Sequence, residues 1–393
     1  MALKEQFEIP GGLKKWSYAL MGVGVLTLIL GVIFLHPFSG GHGEAHGEEA
    51  YGATKFWMAL MHNSIYWLLV VAASFFFIAA TTLAQAGWPL VFRRVPEAIS
   101  GGLNVLGPVT LVILLAYVWI SDDHHIYHWK DAAHLDEKLQ AKSGFLNPTF
   151  YTVVSIVAVS LWIWFRNWFR KLSITEDQSV QRQTANYWRT LAVSAAFLVT
   201  YGLTVLSTLP WLWLMSIDAH WFSTMYSWYT FASSWVAGIS LIMLFVVYLK
   251  NHGYLEFVNE EHIHDIGKFM FAFSIFWTYL WFSQFMLIWY SNQPEETAYF
   301  IDRLGYGGKG DGPFRAMFLL NLIINFLAPL LILMRRGSKR SYTVVTLMSV
   351  IIIFGHWLDF YQMITPGPLR ELGKDSNPMS HFVYSLGIAA GFL

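Results

Sequence analysis

The stretch Asp265–Glu296, DIGKFMFAFSIFWTYLWFSQFMLIWYSNQPEE, carries no charge between Lys268 and Glu295. That run exceeds the ~20 residues an α-helix needs to cross the hydrocarbon core of a bilayer, so it reads as a transmembrane helix. Ser274, Thr278, Ser283 and Gln284 put hydrogen-bonding groups where lipid offers no partner, and they must face other helices or a wet cavity. The exit, Ser291-Asn292-Gln293-Pro294-Glu295-Glu296, reads as a polar, acidic stop at which Pro294 bars further helix.

The rest of the chain has the same character. Apolar residues make up 55% of it and aromatic ones 18%, against 13% charged, which is the composition of an integral membrane protein. The absence of cysteine excludes disulfides, thiolate-ligated iron–sulfur clusters and c-type haem attachment in this chain, so any such centre belongs to a partner. A formal charge of zero argues against nucleic-acid binding, which needs a basic face.

The expected fold is all-α, with about ten transmembrane helices. Spans are expected at Trp16–Leu35, Phe56–Gln85, Leu103–Ile120, Pro148–Phe165, Trp188–Met215 and Tyr226–Leu249. After the opening stretch come Phe314–Met334, Tyr342–Ile364 and a last apolar run, Phe382–Leu393. That run has 12 residues, about 18 Å of helix against a ~30 Å core, so the tenth span is partial or cut short. The first span lacks the short apolar core and small-residue cleavage site of a signal peptide and is taken as a retained helix. Between His36 and Lys55, His42, Glu44 and His46 stand among glycines; a solvated acidic loop explains them better than a metal site, because a Gly-rich backbone preorganises no ligands.

Loop charge orients the chain. Sixteen of the 25 Lys and Arg residues fall on the side of the N-terminus, among them Lys14, Lys15, Arg166, Arg170, Arg335 and Arg340, which makes that side cytoplasmic by the positive-inside rule. Ten spans then return the C-terminus to the same side. The opposite face is acidic, and loops such as Ser121–His128 read either as solvated segments or as docking ground for a peripheral protein.

The polar residues at membrane depth are the candidate site residues. His62 and Asn63 sit early in the second span, with Tyr66 one turn on along the same face. Asp218 and His220 stand at the outer end of the fifth. Asn321 and Asn325, four apart in the eighth span, share a face, as do His356 and Asp359, three apart in the ninth. Asparagines at such depth serve as interhelical glue or as steps of a path, whereas an Asp–His pair points to a proton or ligand route if Asp359 lies below the headgroups. Lying at headgroup level, it would be an ordinary interfacial charge.

Three motifs carry a resemblance: Tyr279–Asn292 followed by Pro294-Glu295-Glu296, then Ser216–Tyr226, then His356–Tyr361. Together they resemble the second polysulfide-reductase-like (NrfD-like) integral membrane subunit of bacterial alternative complex III, a quinol:cytochrome c oxidoreductase. The resemblance implies two four-helix bundles, within 56–215 and 226–364, flanked by the spans at 16–35 and 382–393. It implies a bacterial cytoplasmic membrane, menaquinol or another quinol as reductant, and partners comprising a multihaem cytochrome c, an iron–sulfur subunit and a paralogous NrfD-like subunit. Haem c and iron–sulfur clusters then reside on those partners, and no cofactor is bound covalently here. His62, with Asn63 and Tyr66, becomes the quinone-binding candidate. His356, Asp359, Asp218 and His220, with Gln284, Asn321 and Asn325 as inner steps, become the proton-path candidate, with His356 as the partner that holds Asp359 charged. A secondary transporter and a purely structural membrane scaffold are the alternatives. The charge asymmetry predicts that reporters fused near Lys4 and in the Lys339 loop report one and the same side; opposite sides would overturn the ten-span count.

Overall fold

The computed structural model describes residues 8–38, 47–121, 123, 125–130, 135–178, 184–305, 312–371 and 378–393. His42, Glu44 and His46, and Asp122 and His124 of the acidic face, lie outside the described residues. Among the described residues there is no strand, and nine helices are long and apolar enough to cross a membrane. The chain is a multi-pass, all-α membrane protein. The helices are α1 (Gly11–Leu35), α2 (Gly47–Leu83), α3 (Arg94–Trp119), α4 (Pro148–Gln178), α5 (Thr184–Trp213) and α6 (Met225–Asn251). There follow α7 (Glu260–Ser291), α8 (Pro294–Leu304), α9 (Arg315–Leu333), α10 (Tyr342–Ile364), the short α11 (Pro366–Glu371) and α12 (Pro378–Phe392).

Several boundaries differ from the sequence expectation, each for a local reason. The loop expected up to Lys55 is helical from Gly47, because Ala53 and Thr54 are buried and Gly52 lets the Leu35 carbonyl approach to 2.7 Å of where a Cβ would stand. The span stops before Pro294, as expected, but a new helix starts at it. Asn292 ends α7 in the left-handed conformation, and Pro294, whose missing N–H costs nothing in a first turn, opens α8. At its other end α7 starts on a capping box, Asn259 accepting from the backbone N–H of Glu261 and His262 while the His262 ring accepts from the Asn259 N–H. The last helix starts at Pro378, four residues before Phe382, and its 15 residues still fall short of a full crossing.

The helices pack as two groups of four. In the first, α2 contacts α3 and α5, and α4 closes the group between them; in the second, α6 contacts α7 and α10, with α9 between those two. The groups meet where α2 lies against α6 and α10, while α1 and α12 pack on each other and on α2. Central position explains why α2 and α6 are buried along most of their length, whereas α1 and α3 turn Phe34, Val105 and Val112 outward to lipid. One end of the first group is tied by Glu97, which is 1% exposed and accepts from Arg94 at 2.5 Å and Arg170 at 2.8 Å.

Close approach of α2 and α6 depends on Gly238, where a Cβ would stand 2.8 Å from the Ala73 Cβ and 3.1 Å from the Val70 carbonyl oxygen. Gly238→Val therefore forces the two groups apart, an overpacking cost of about 1–3 kcal/mol. Thermal unfolding of the detergent-solubilised protein is expected to shift several degrees lower; an unchanged midpoint would show that the contact gives freely.

Candidate functional site

Asp359 is the centre of the second group. It sits on α10 with no exposed surface, and three other helices supply four donors to its two oxygens. Oδ1 accepts from the Tyr229 hydroxyl of α6 and, at 2.7 Å, from Asn321 Nδ2 of α9. Oδ2 accepts from Ser233 Oγ of α6 at 2.7 Å and from Trp277 Nε1 of α7 at 2.9 Å. Tyr229 and Ser233 are four apart and so present one face of α6 to the carboxylate. Asp359 is therefore closed off from solvent by protein.

His356 does not touch Asp359 directly, contrary to the expected pairing. Its Nδ1 lies 3.0 Å from Ser233 Oγ, and Ser233 bridges the two. Because Ser233 uses its only proton on the carboxylate, it must accept from His356, which places the imidazole proton on Nδ1. His356 Nε2 is then a bare acceptor, buried and without a protein partner. On the other side of Asp359, Asn325 Nδ2 donates to Asn321 Oδ1 at 2.6 Å, so the two asparagines form a chain leading away from the carboxylate. Asn325 lies in a π-helical turn of α9, Ile323–Leu327, just before Pro329, and its Oδ1 is also unpartnered. Gly355 admits this side chain, since a Cβ there would meet Asn325 Oδ1 at 2.1 Å.

Gln284 belongs to neither of these arms. It lies seven residues beyond Trp277 towards Ser291, about 10 Å along the helix, and so occupies the opposite side of Asp359 from Asn325. There it lines a small cavity with Tyr229, Trp281, Tyr299, Arg303 and Gln362. The cavity offers about 10 Å³ to the centre of a water molecule, room for one. Arg303 of α8, 1% exposed, stacks its guanidinium 3.3 Å from the centre of the Tyr299 ring.

Asp218 and His220 are not brought into this network. His220 is 57% exposed and stands 3.4 Å from Asp136 across a surface loop. Asp218 lies against α11, where its Oδ1 would meet a Cβ at Gly367 within 2.6 Å. Close by, Trp221 stacks on Tyr299 with ring centres 4.2 Å apart, so the motif around Asp218 packs on α8 rather than reaching Asp359.

His62, Asn63 and Tyr66 come together, in a closed arrangement. His62 Nε2 bonds the Trp357 carbonyl at 2.9 Å and its Nδ1 bonds Ser385 Oγ at 2.8 Å; a carbonyl only accepts, so the proton is on Nε2 and Ser385 donates to Nδ1. Asn63 donates to Ala59 and Ser385 and accepts from Trp357 Nε1 at 2.8 Å, and the Tyr66 hydroxyl donates to the Ile353 carbonyl at 2.6 Å. All three residues are fully buried. A quinone carbonyl would find no free ring nitrogen or amide on this trio, so the residues present do not suit a quinone headgroup. They tie α2, α10 and α12 together.

Sequence inspection missed Tyr229, Ser233, Trp277 and Arg303. A signal existed for the first two, whose spacing of four in a Ser- and Thr-bearing apolar helix is that of a bonding face. Among the described residues no group of three or more His, Asp or Glu stands close enough to hold a metal ion. No protein-family model matches the chain, and no curated protein matches it.

Outside the spans, Asp302 of α8 pairs with Arg370 of α11 at 2.9 Å and is only 8% exposed. Burial pushes its carboxyl up to about 6, against the pull of the Arg370 guanidinium. The folded chain thus holds this proton more tightly than the unfolded chain, so the contribution to stability is fully present below the unfolded value of 3.8 and is lost as pH rises through about 6. Unfolding measured across that window is expected to show stability falling with rising pH, and Asp302→Asn to flatten the fall; an equal slope in both proteins would assign it to another group.

Proposed function

We infer that this chain is a membrane subunit of a respiratory quinol:cytochrome c oxidoreductase of the alternative complex III kind, and that its own contribution is proton conduction through the second helix group. On this reading it lies in a bacterial cytoplasmic membrane with the N-terminus inside. Haem c and iron–sulfur clusters sit on partner subunits, and quinol oxidation takes place on the paralogous subunit rather than at His62. The observation that carries the proposal is the His356–Ser233–Asp359 chain: an imidazole with one free nitrogen, a hydroxyl and a buried carboxylate in bonding contact within membrane-spanning helices.

The chemistry is a proton hop along existing bonds. A proton taken up at His356 Nε2 lets Nδ1 pass its own proton to Ser233 Oγ, while the Ser233 hydroxyl proton moves to Asp359 Oδ2. Each atom ends with its normal valence. A half-turn of the neutral carboxyl then presents that proton to the Tyr229 oxygen on the other side. Imidazole and carboxyl groups suit the task because both exchange protons near neutral pH once their surroundings are arranged to do so.

Asp359→Asn keeps the shape and removes the exchangeable proton. In reconstituted vesicles, proton release per electron is expected to fall, and Ser233→Ala, which cuts the bridge alone, to slow release by about tenfold or more. An unchanged ratio in an assembled Asp359→Asn complex would sink conduction. It would leave a scaffold, the reading that the closed bonding around His62 favours.

A further inference from the structure

Gln362 is four residues before Pro366, which has no N–H, so its carbonyl oxygen lacks the donor that an α-helix normally provides. Arg303 supplies the replacement. Its Nε and Nη2 donate to that carbonyl at 3.1 and 2.8 Å, and Nη1 donates to the Tyr299 carbonyl at 2.5 Å. Closing the end of α10 thus accounts for two of the five guanidinium N–H groups, and the Tyr299 carbonyl of α8 for a third. Neither accounts for the charge. No carboxylate among the described residues lies in ion-pair contact with Arg303, which is 1% exposed, and Asp302 interacts with it only through its field.

Arg303 also lines the one-water cavity. Besides Tyr299 and Trp281, three further polar groups border it. The Tyr229 hydroxyl donates to Asp359 and keeps its lone pairs; the Gln362 amide donates to Met317 O at 2.8 Å and keeps its oxygen; Gln284 is 5% exposed and bonds to no group among the described residues. The Gln284 amide keeps some accessible surface, and a water with two to four polar neighbours is the usual partner of such a group.

We propose that the cavity bounded by Tyr229, Gln284, Arg303 and Gln362 is a binding site for a single water, held by Arg303, through which Asp359 exchanges its proton with the side of the membrane where α8 lies. Arg303 is a positioning residue: it offers N–H donors to the water oxygen, which turns the water hydrogens away from it towards Gln362 and Tyr229. The step balances, since the Tyr229 oxygen takes the Asp359 proton as its own hydroxyl proton passes to the water and the water releases another. This rests on the conduction reading for its purpose, though not for its test.

The test reads the Asp359 proton without turnover. In the purified protein at acid pH, the carbonyl stretch of protonated Asp359 is isolated as the infrared difference from Asp359→Asn, and its shift on transfer to D₂O is timed. Gln284→Leu fills the cavity while leaving every bond of Arg303 to protein in place, and is expected to slow exchange about tenfold or more. Arg303→Lys, which keeps a cation with fewer donors, is expected to slow it less than Arg303→Met. A clamp with no role in holding water predicts the reverse for Arg303→Met, because a loosened α8 admits solvent and speeds exchange. Exchange that is unchanged in Gln284→Leu, or faster in Arg303→Met, overturns the proposal; should Arg303→Met not assemble, Gln284→Leu decides alone. Slowed exchange with an unchanged proton-to-electron ratio in Asp359→Asn would leave the water site standing and remove conduction.

Discussion

Enclosing the Asp359 side chain is the constraint that the second helix group is built around. An unpaired charge within a membrane-spanning helix costs about 2.5–3.5 kcal/mol on the insertion scale, and more where it is sealed from water. Among the described residues no cation bonds to Asp359. Instead α6, α7 and α9 each contribute a neutral donor pointed at it, and the loss of any one leaves a lone pair unmet in a place where water does not readily replace it. Such a site fixes the rotation of four helices at once. The same donors leave Asp359 connected, through Ser233 to His356 and through Asn321 to Asn325, to atoms that still lack partners.

The end of α10 shows how a local defect is turned to use. Pro366 starts the short helix α11 and in doing so strips the Gln362 carbonyl of its donor. A lysine or a water would satisfy that oxygen. Arg303 does so while stacking on Tyr299, and Tyr299 in turn lies flat against Trp221. One guanidinium therefore locks α8 to α10, and the motif around Asp218 locks to α8 by ring stacking. This explains how a segment recognisable in the sequence by Asp218 and His220 matters to the site without supplying a residue to it.

What was legible in the sequence follows from which signals are local. Span number and type rest on uninterrupted apolar runs, and α10 matched its expected limits, Tyr342–Ile364, residue for residue. The shared face of His356 and Asp359, and that of Asn321 and Asn325, followed from helical spacing within one element. Partners drawn from other helices did not: Tyr229, Ser233 and Trp277 look like ordinary residues of aromatic, Ser-bearing spans until α6 and α7 are turned towards α10. Gln284 went to the wrong arm because position along a helix says how deep a residue lies but not which neighbours share its level. The helical start at Gly47 was hidden because glycines and acids read as loop, while its cause, burial of Ala53 and Thr54 and the approach of Leu35 to Gly52, is tertiary.

His62 and His356 make the functional argument by contrast. Both are fully buried histidines in membrane-spanning helices, and both are bonded to a serine hydroxyl through Nδ1. Their serines point opposite ways. Ser385 accepts from Asn63 and donates to His62, whose other nitrogen is spent on the Trp357 carbonyl, so a proton arriving at His62 has no lone pair to take and no acid to reach. Ser233 donates to a carboxylate and accepts from His356, whose other nitrogen is open. Residue type, burial and the serine contact are the same at the two sites. Only the direction of one hydroxyl and the state of one ring nitrogen separate a histidine that fastens helices from one that can pass a proton on.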